Sequence, residues 1–347
     1  MTCPFSIRVS LVCAAAVLVV TASTATYAAT PVTLKIATIV PEGSPWHDIL
    51  LEMAERWRIV SNGAVTVKIY AGGVQGDEAE SVRKIRIGLL HGATVTANGL
   101  ATITPEMNAF SIPLLFSSYD ELDFVRDRLS TRLAKAFDDR GFVVLNWGDG
   151  GWVRFFTTKP AATIHEVRAL RIFTWAGNAS SEELWKQAGF RPVPLAPTDI
   201  LTSLQSGLID GCPVPATAAL AYQWFGLAKY MLDLRIAPIV GATVVAKAAW
   251  EKVDPALRLT LLKEAETIGA RLRSDIRRLD DDAIGAMRKR GLQVATLTAE
   301  RDKEWRDAAA AMYPRLRGTV IPAADFDEVV SLVRERRASK PSNEVRR

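Results

Sequence analysis

Residues 163–177 read Thr-Ile-His-Glu-Val-Arg-Ala-Leu-Arg-Ile-Phe-Thr-Trp-Ala-Gly, and the rest of the chain is organised around them. The pattern predicts a loop, then a short strand from Leu170 to Trp175 that stops at Ala176-Gly177. Successive strand side chains point to opposite faces. Leu170, Ile172 and Thr174 therefore share one face, mostly aliphatic and suited to a packed core. Arg171, Phe173 and Trp175 share the other. One cation and two large rings suit the wall of a ligand cleft, and they equally suit the underside of a helix.

Upstream, strands and helices alternate. Residues 32–40 read as a strand ended by Pro41; Ser44 is placed to cap a helix that Pro45 opens and that runs to about Val60. Val65 to Tyr70 is a second strand, Gly72, Gly73 and Gly76 mark a loop, and Asp77 starts a helix to about Ile87. Ala93 to Ala97 is a third apolar piece. This is the rhythm of an open α/β sheet with crossover helices. Ser118–Arg128 and Thr131–Arg140 read as two helices with a break between them. Phe142 to Trp147 reads as a strand, Asp149-Gly150-Gly151 as a turn, and Phe155-Phe156 as the next strand.

Downstream, helices are expected over Ser180–Ala188 and Thr198–Ser206, with an extended piece at Pro192–Leu195. Two successive α/β lobes with several passes of chain between them predict a cleft. Residues 255–290 then form a long charged helix, with Leu257, Leu261, Ala265, Ile268 and Leu272 at near-helical spacing. Two further helices are expected near 298–313 and 325–337.

The first residues read as a secretory leader: Arg8 is the only charge, Leu11 to Val20 is apolar, and Thr26 and Ala28 fit a cleavage site near Ala28. The run is too short for a membrane-spanning helix. Of three cysteines, Cys3 and Cys13 fall in this leader, so Cys212 stands alone and no internal disulfide is expected. The 43 basic residues exceed the 38 acidic ones by only five and are dispersed, which argues against a nucleic-acid partner.

Catalytic patterns are missing. The chain has no Gly-x-Ser-x-Gly, and none of its three histidines, His47, His91 and His165, has a neighbouring nucleophile or zinc-ligand spacing. Gly72 to Gly76 lacks the Lys-Ser/Thr of a nucleotide loop, and Asp280-Asp281-Asp282 points in different directions on a helix. No cofactor or metal is expected. What remains is aromatic material near the predicted domain crossings: Trp147, Trp152, Phe173, Trp175, Tyr222 and Trp224, with Arg154 and Arg171 as the nearest polar groups.

Several segments, in order, resemble the solute-binding subunit of a tripartite ATP-independent periplasmic (TRAP) transporter of the dicarboxylate-binding type. They are LKIATIVPEGSPWH at 34–47, YAGGVQGDEAESVRKIRIGLL at 70–90, FSIPLLFSSYDEL at 110–122 and LQSGLIDG at 204–211. The resemblance implies an α/β, two-domain periplasmic-binding-protein clamshell with a long connecting helix. Domain I would take 29–150 and 238–265, domain II 151–237, the C-terminal helices 266–337 and a disordered tail 338–347, after a signal peptide at 1–28. It also implies a periplasmic, non-catalytic receptor that passes a small organic solute to one small and one large integral membrane subunit.

The family's clamping arginine sits in a Leu-Lys-Ile/Leu-Arg strand. Here that strand is Leu170-Arg171-Ile172-Phe173, and the arginine position is Phe173. Phenylalanine offers no donor to a carboxylate. A second family arginine matches Arg154 in GWVRFFT, whereas the Gln/Glu-Asn-Pro after the Asp-Gly turn is replaced by Cys212-Pro213-Val214-Pro215. The expected solute is therefore less polar than a C4-dicarboxylate, with at most one acid group bound by Arg154, and with Arg171 as a substitute. Arg154, Phe173, Trp175, Arg171, Trp152, Trp147, Asn98, Pro213 and Trp224 are the expected site residues. The alternatives are a binding protein serving a separate sensor, or a periplasmic hydrolase.

Overall fold

The computed structural model describes residues 31–176 and 179–339. The leader read over 1–28, and all of the tail beyond Ser339, lie outside them.

The chain opens as β1 (Val32–Thr38), α1 (Pro45–Val60), β2 (Val65–Tyr70), α2 (Glu78–Arg86), β3 (Gly92–Thr96) and α3 (Ala97–Ala101). Ser44 accepts from the His47 amide and Pro45 opens α1; Asp77 accepts from the Glu80 amide at the start of α2. β1 pairs in parallel with both β2 and β3, so α1 and α2 are crossovers on the sheet. The apolar stretch after α3 leads to α4 (Tyr119–Asp139), one helix of 21 residues where the sequence suggested two. The expected break at Leu129-Ser130 is closed because Leu129 and Leu133 continue the buried stripe of Leu122 and Val125.

A second difference is larger. Phe142 to Thr157 is a single strand, β4, and Asp149-Gly150-Gly151 is not a turn but an irregularity within it. Gly151 has φ +97°, and a Cβ there would lie 2.6 Å from Asp280 Oδ1. The glycine signal thus marks a bulge that bends the strand and keeps it extended.

After β4 come α5 (Ile164–Ala169), β5 (Arg171–Trp175), α6 (Ala179–Gln187), β6 (Arg191–Leu195), α7 (Ile200–Gln205), β7 (Gly211–Pro215), α8 (Ala216–Ala221), β8 (Tyr230–Leu232) and β9 (Pro238–Ala246). The chain ends in α9 (Lys247–Trp250), α10 (Pro255–Arg288), β10 (Gln293–Ala295), α11 (Ala299–Leu316) and α12 (Ala323–Ala338). The ten strands form one sheet in the order β2-β1-β3-β9-β4-β7-β5-β6, with β8 on β4 and β10 on β8. β4 joins its two groups of strands. Residues up to Trp152 pair with β9, and Val153 to Thr157 pair with β7.

The 34-residue α10, roughly 50 Å long, follows the same crossing. Leu261 to Ile276 pack with β1 and α1, while Ala283 and Met287 join the core around β7 and α8. Two buried acids tie it to β4. Asp149 accepts from Arg277 on α10 at 2.7 Å and from Arg126 on α4 at 3.3 Å. Asp280 on α10 accepts from Arg154 at 2.8 Å and from the Trp152 amide at 3.3 Å. No helix among the described residues is long and apolar enough to cross a membrane.

Candidate functional site

A cavity of about 300 Å³ lies where β3, β5 and β7 end, the edge at which open α/β sheets bind ligands. Its wall takes Thr96 to Asn98 from one strand group and Phe173 to Trp175 and Pro213 to Pro215 from the other, with Pro238 to Val240 between. The cavity wraps the end of β5. On one face Phe173 and Trp175 lie with ring centroids 6.0 Å apart. On the face shared by Ile172 and Thr174 it reaches Phe155, Trp185, Phe190 and Trp305.

Of the expected residues, Asn98, Phe173, Trp175 and Pro213 line this one cavity. The other expected residues do not reach it. Arg154 is 1% exposed, bonded to Asp280 and at 3.2 Å to Asp233. Its guanidinium is taken up by carboxylates of the fold itself, away from the cavity wall where a solute clamp was expected. Arg171 sits at the exposed start of β5, forked onto Asp210 at 2.8 and 2.9 Å, and it holds that carboxyl below its usual range. Trp152 is buried against Tyr119, with ring centroids 5.3 Å apart. Trp147 packs edge-on to Phe137, and Trp224 stacks on Tyr222 in the core behind β7. Alternation along a strand assigned the right rings to β5, but a ring near a crossing is more often packing than wall.

Residues 36–318 match the bacterial extracellular solute-binding protein family 7, DctP. The chain belongs to that family. Family 7 proteins bind solutes and are not enzymes. A solute-binding protein of Chromohalobacter salexigens is 26% identical over 228 residues, which span 65% of this chain and 66% of that one. The C4-dicarboxylate-binding periplasmic protein DctP of Rhodobacter capsulatus is 20% identical over 294 residues, 83% of this chain and 87% of its own. The sugar acid binding protein of Advenella mimigardefordensis, solved with galactonate, superposes with a TM-score of 0.83. That match is 17% identical and covers 88% of this chain and 99% of the other. The shared architecture is the mixed α/β fold of periplasmic binding proteins, including the long helix.

In this family 7 protein the sequence reading missed the cavity's main polar group. Arg168 is the one ionisable side chain in the cavity wall among the described residues. It sits on α5, in a stretch expected to be loop. The signal for that helix was present: Thr163 accepts from the Glu166 amide and Glu166 accepts in return from the Thr163 amide, a complete capping box. Counting one turn on from Thr163-x-x-Glu166 places Arg168 on the helix. Its Cζ lies 5.6 Å from the Phe190 ring centroid, and no carboxylate among the described residues pairs with it. The buried Arg168 Nε, Thr174 Oγ1 and Trp305 Nε1 all lack a hydrogen-bond partner. A buried polar group left unmatched costs about 1–3 kcal/mol. All three belong to the cavity wall.

Proposed function

We propose that this chain is the periplasmic receptor of a TRAP transporter for a small organic acid with one carboxylate and an apolar, ring-tolerant body. The solute binds in the cavity at the end of β5, between the strand group of β1 to β3 and that of β5 to β7, and passes unchanged to one small and one large integral membrane subunit. The observation that carries this reading is the wall: mostly aliphatic and aromatic, with Thr96, Asn98, Asn108, Ser111 and Thr174 as its uncharged polar groups, Phe173 where the resemblance implies an arginine, and among the described residues a single cation, Arg168. Relatives solved with galactonate or D-glucuronate hold solutes with many hydroxyls. A wall with few polar side chains leaves most of such hydroxyls unpaired and disfavours them.

Mass spectrometry of ligand released from natively purified protein, followed by calorimetry against a panel of acids, tests the reading. Aromatic or branched apolar monoacids are expected to bind, and succinate and glucuronate are not. Micromolar or tighter binding of succinate or a uronate would overturn the solute class. Genes for two integral membrane subunits beside this one would support the delivery step.

A further inference from the structure

The orphaned groups at the cavity share one property that the wall as a whole does not. Arg168 Nε and Trp305 Nε1 can only donate a hydrogen bond, and the Thr174 hydroxyl can donate one. Arg168 lies against Phe190, and Phe155, Phe190 and Trp305 form one aromatic wall, their ring centroids 5.5 to 6.5 Å apart. A guanidinium lying on a ring still presents its N–H edge in plane. Arg168 is the one ionisable side chain of the cavity wall among the described residues, and a guanidinium without a carboxylate, walled by rings, matches a planar anion whose other end is apolar.

We propose that Arg168 is the carboxylate clamp of this receptor. It holds the acid from helix α5, on the Ile172–Thr174 face of β5, and not from strand position 173. The inference rests on the cavity being the solute site. It gives the ligand an orientation: carboxylate at Arg168, apolar body running along Phe155, Phe190 and Trp305 toward Phe173 and Trp175. α5 replaces a donor on the strand by one a short helix earlier, which leaves position 173 free to carry a ring.

The test pairs charged probes with neutral ones. Phenylacetate, 3-phenylpropionate and indole-3-acetate are titrated calorimetrically against full-length mature protein, alongside their primary amides. In the wild type the acids are expected to bind well ahead of the amides. In Arg168→Gln the acids are expected to weaken by about 10- to 100-fold, with the amides unchanged, so that the acid-to-amide ratio collapses. Arg168→Lys is expected to recover part of the loss, and Arg171→Gln to show none. Unchanged amide binding shows that Arg168→Gln is folded. If the acids bind Arg168→Gln as they bind the wild type, the clamp is wrong while the solute site stands. If no probe acid binds the wild type, both the cavity as solute site and the clamp are overturned.

Discussion

At position 173 a single ring stands in the cavity wall. Phe173 is 1% exposed and packs beside Trp175 at the cavity wall. Replacing it by arginine places a donor fork in an apolar pocket with no internal acceptor waiting. Phe173→Arg is expected to lose affinity for apolar acids and to gain measurable affinity for succinate or glucuronate. Titration calorimetry against both classes checks the exchange, and a variant that folds yet binds neither more tightly than the wild type would count against the specificity argument. Phe173 and Trp175 were legible because strand alternation is a local rule. The surroundings of Arg154 were not legible, because its partner Asp280 is 126 residues away and no local pattern announces a buried partner. Arg168 was legible in principle through its capping box, but Leu170 to Trp175 drew the reading toward strand.

Among the elements, β4 and α10 carry the architecture, and their charges are structural. Arg154 and Asp280 are both nearly fully buried. Removing one partner strands a charge and costs about 3–5 kcal/mol, whereas replacing both by apolar residues is often close to neutral. Arg154→Met is therefore expected to lower the thermal midpoint sharply, and Arg154→Met with Asp280→Leu to recover most of it. Equal midpoints for the single and double variants would show that the pair is not a unit. The same strand explains a limit of sequence reading. A glycine pair signals a backbone that needs positive φ, yet a turn and a bulge share that need, and only the partners β9 and β7 distinguish them.

The α2–α3 junction makes a pH prediction of its own. Glu78 accepts from the Thr96 amide, the Thr96 hydroxyl and the Gly99 amide, fixing the start of α3 at the cavity. Burial nevertheless pushes its carboxyl up from 4.5 to about 7, outweighing those three donors. The folded chain thus holds this proton more tightly than the unfolded one. Its contribution is full below about pH 4.5 and is lost as pH rises through 7, by at most about 3 kcal/mol. Stability of the wild type is expected to fall between pH 5 and 8 relative to Glu78→Gln, as chemical denaturation at each pH would reveal. Parallel curves would exclude Glu78 as the source.

Across the whole molecule, the two strand groups touch on the rim opposite the β4 crossing. The Tyr222 hydroxyl, at the end of α8, donates to the Ile39 carbonyl just past β1 at 2.6 Å. Burial pushes the phenol's pKa up, so it remains a donor throughout the neutral range. Beside it the Gly72–Gly76 loop meets Thr198: a Cβ on Gly73 would come within 3.0 Å of the threonine methyl. The two strand groups are thus joined by β4 and α10 and also by this contact. Tyr222→Phe keeps the ring and its stacking on Trp224 while deleting one hydrogen bond between the groups. A lost hydrogen bond of this kind is worth about 0.5–1.5 kcal/mol, and this one joins the two strand groups. The variant is therefore expected to release solute several-fold faster with little change in association rate, and to scatter X-rays as a slightly larger particle in solution. If release is unchanged and the scattering is identical, the contact is packing and has no part in holding the solute.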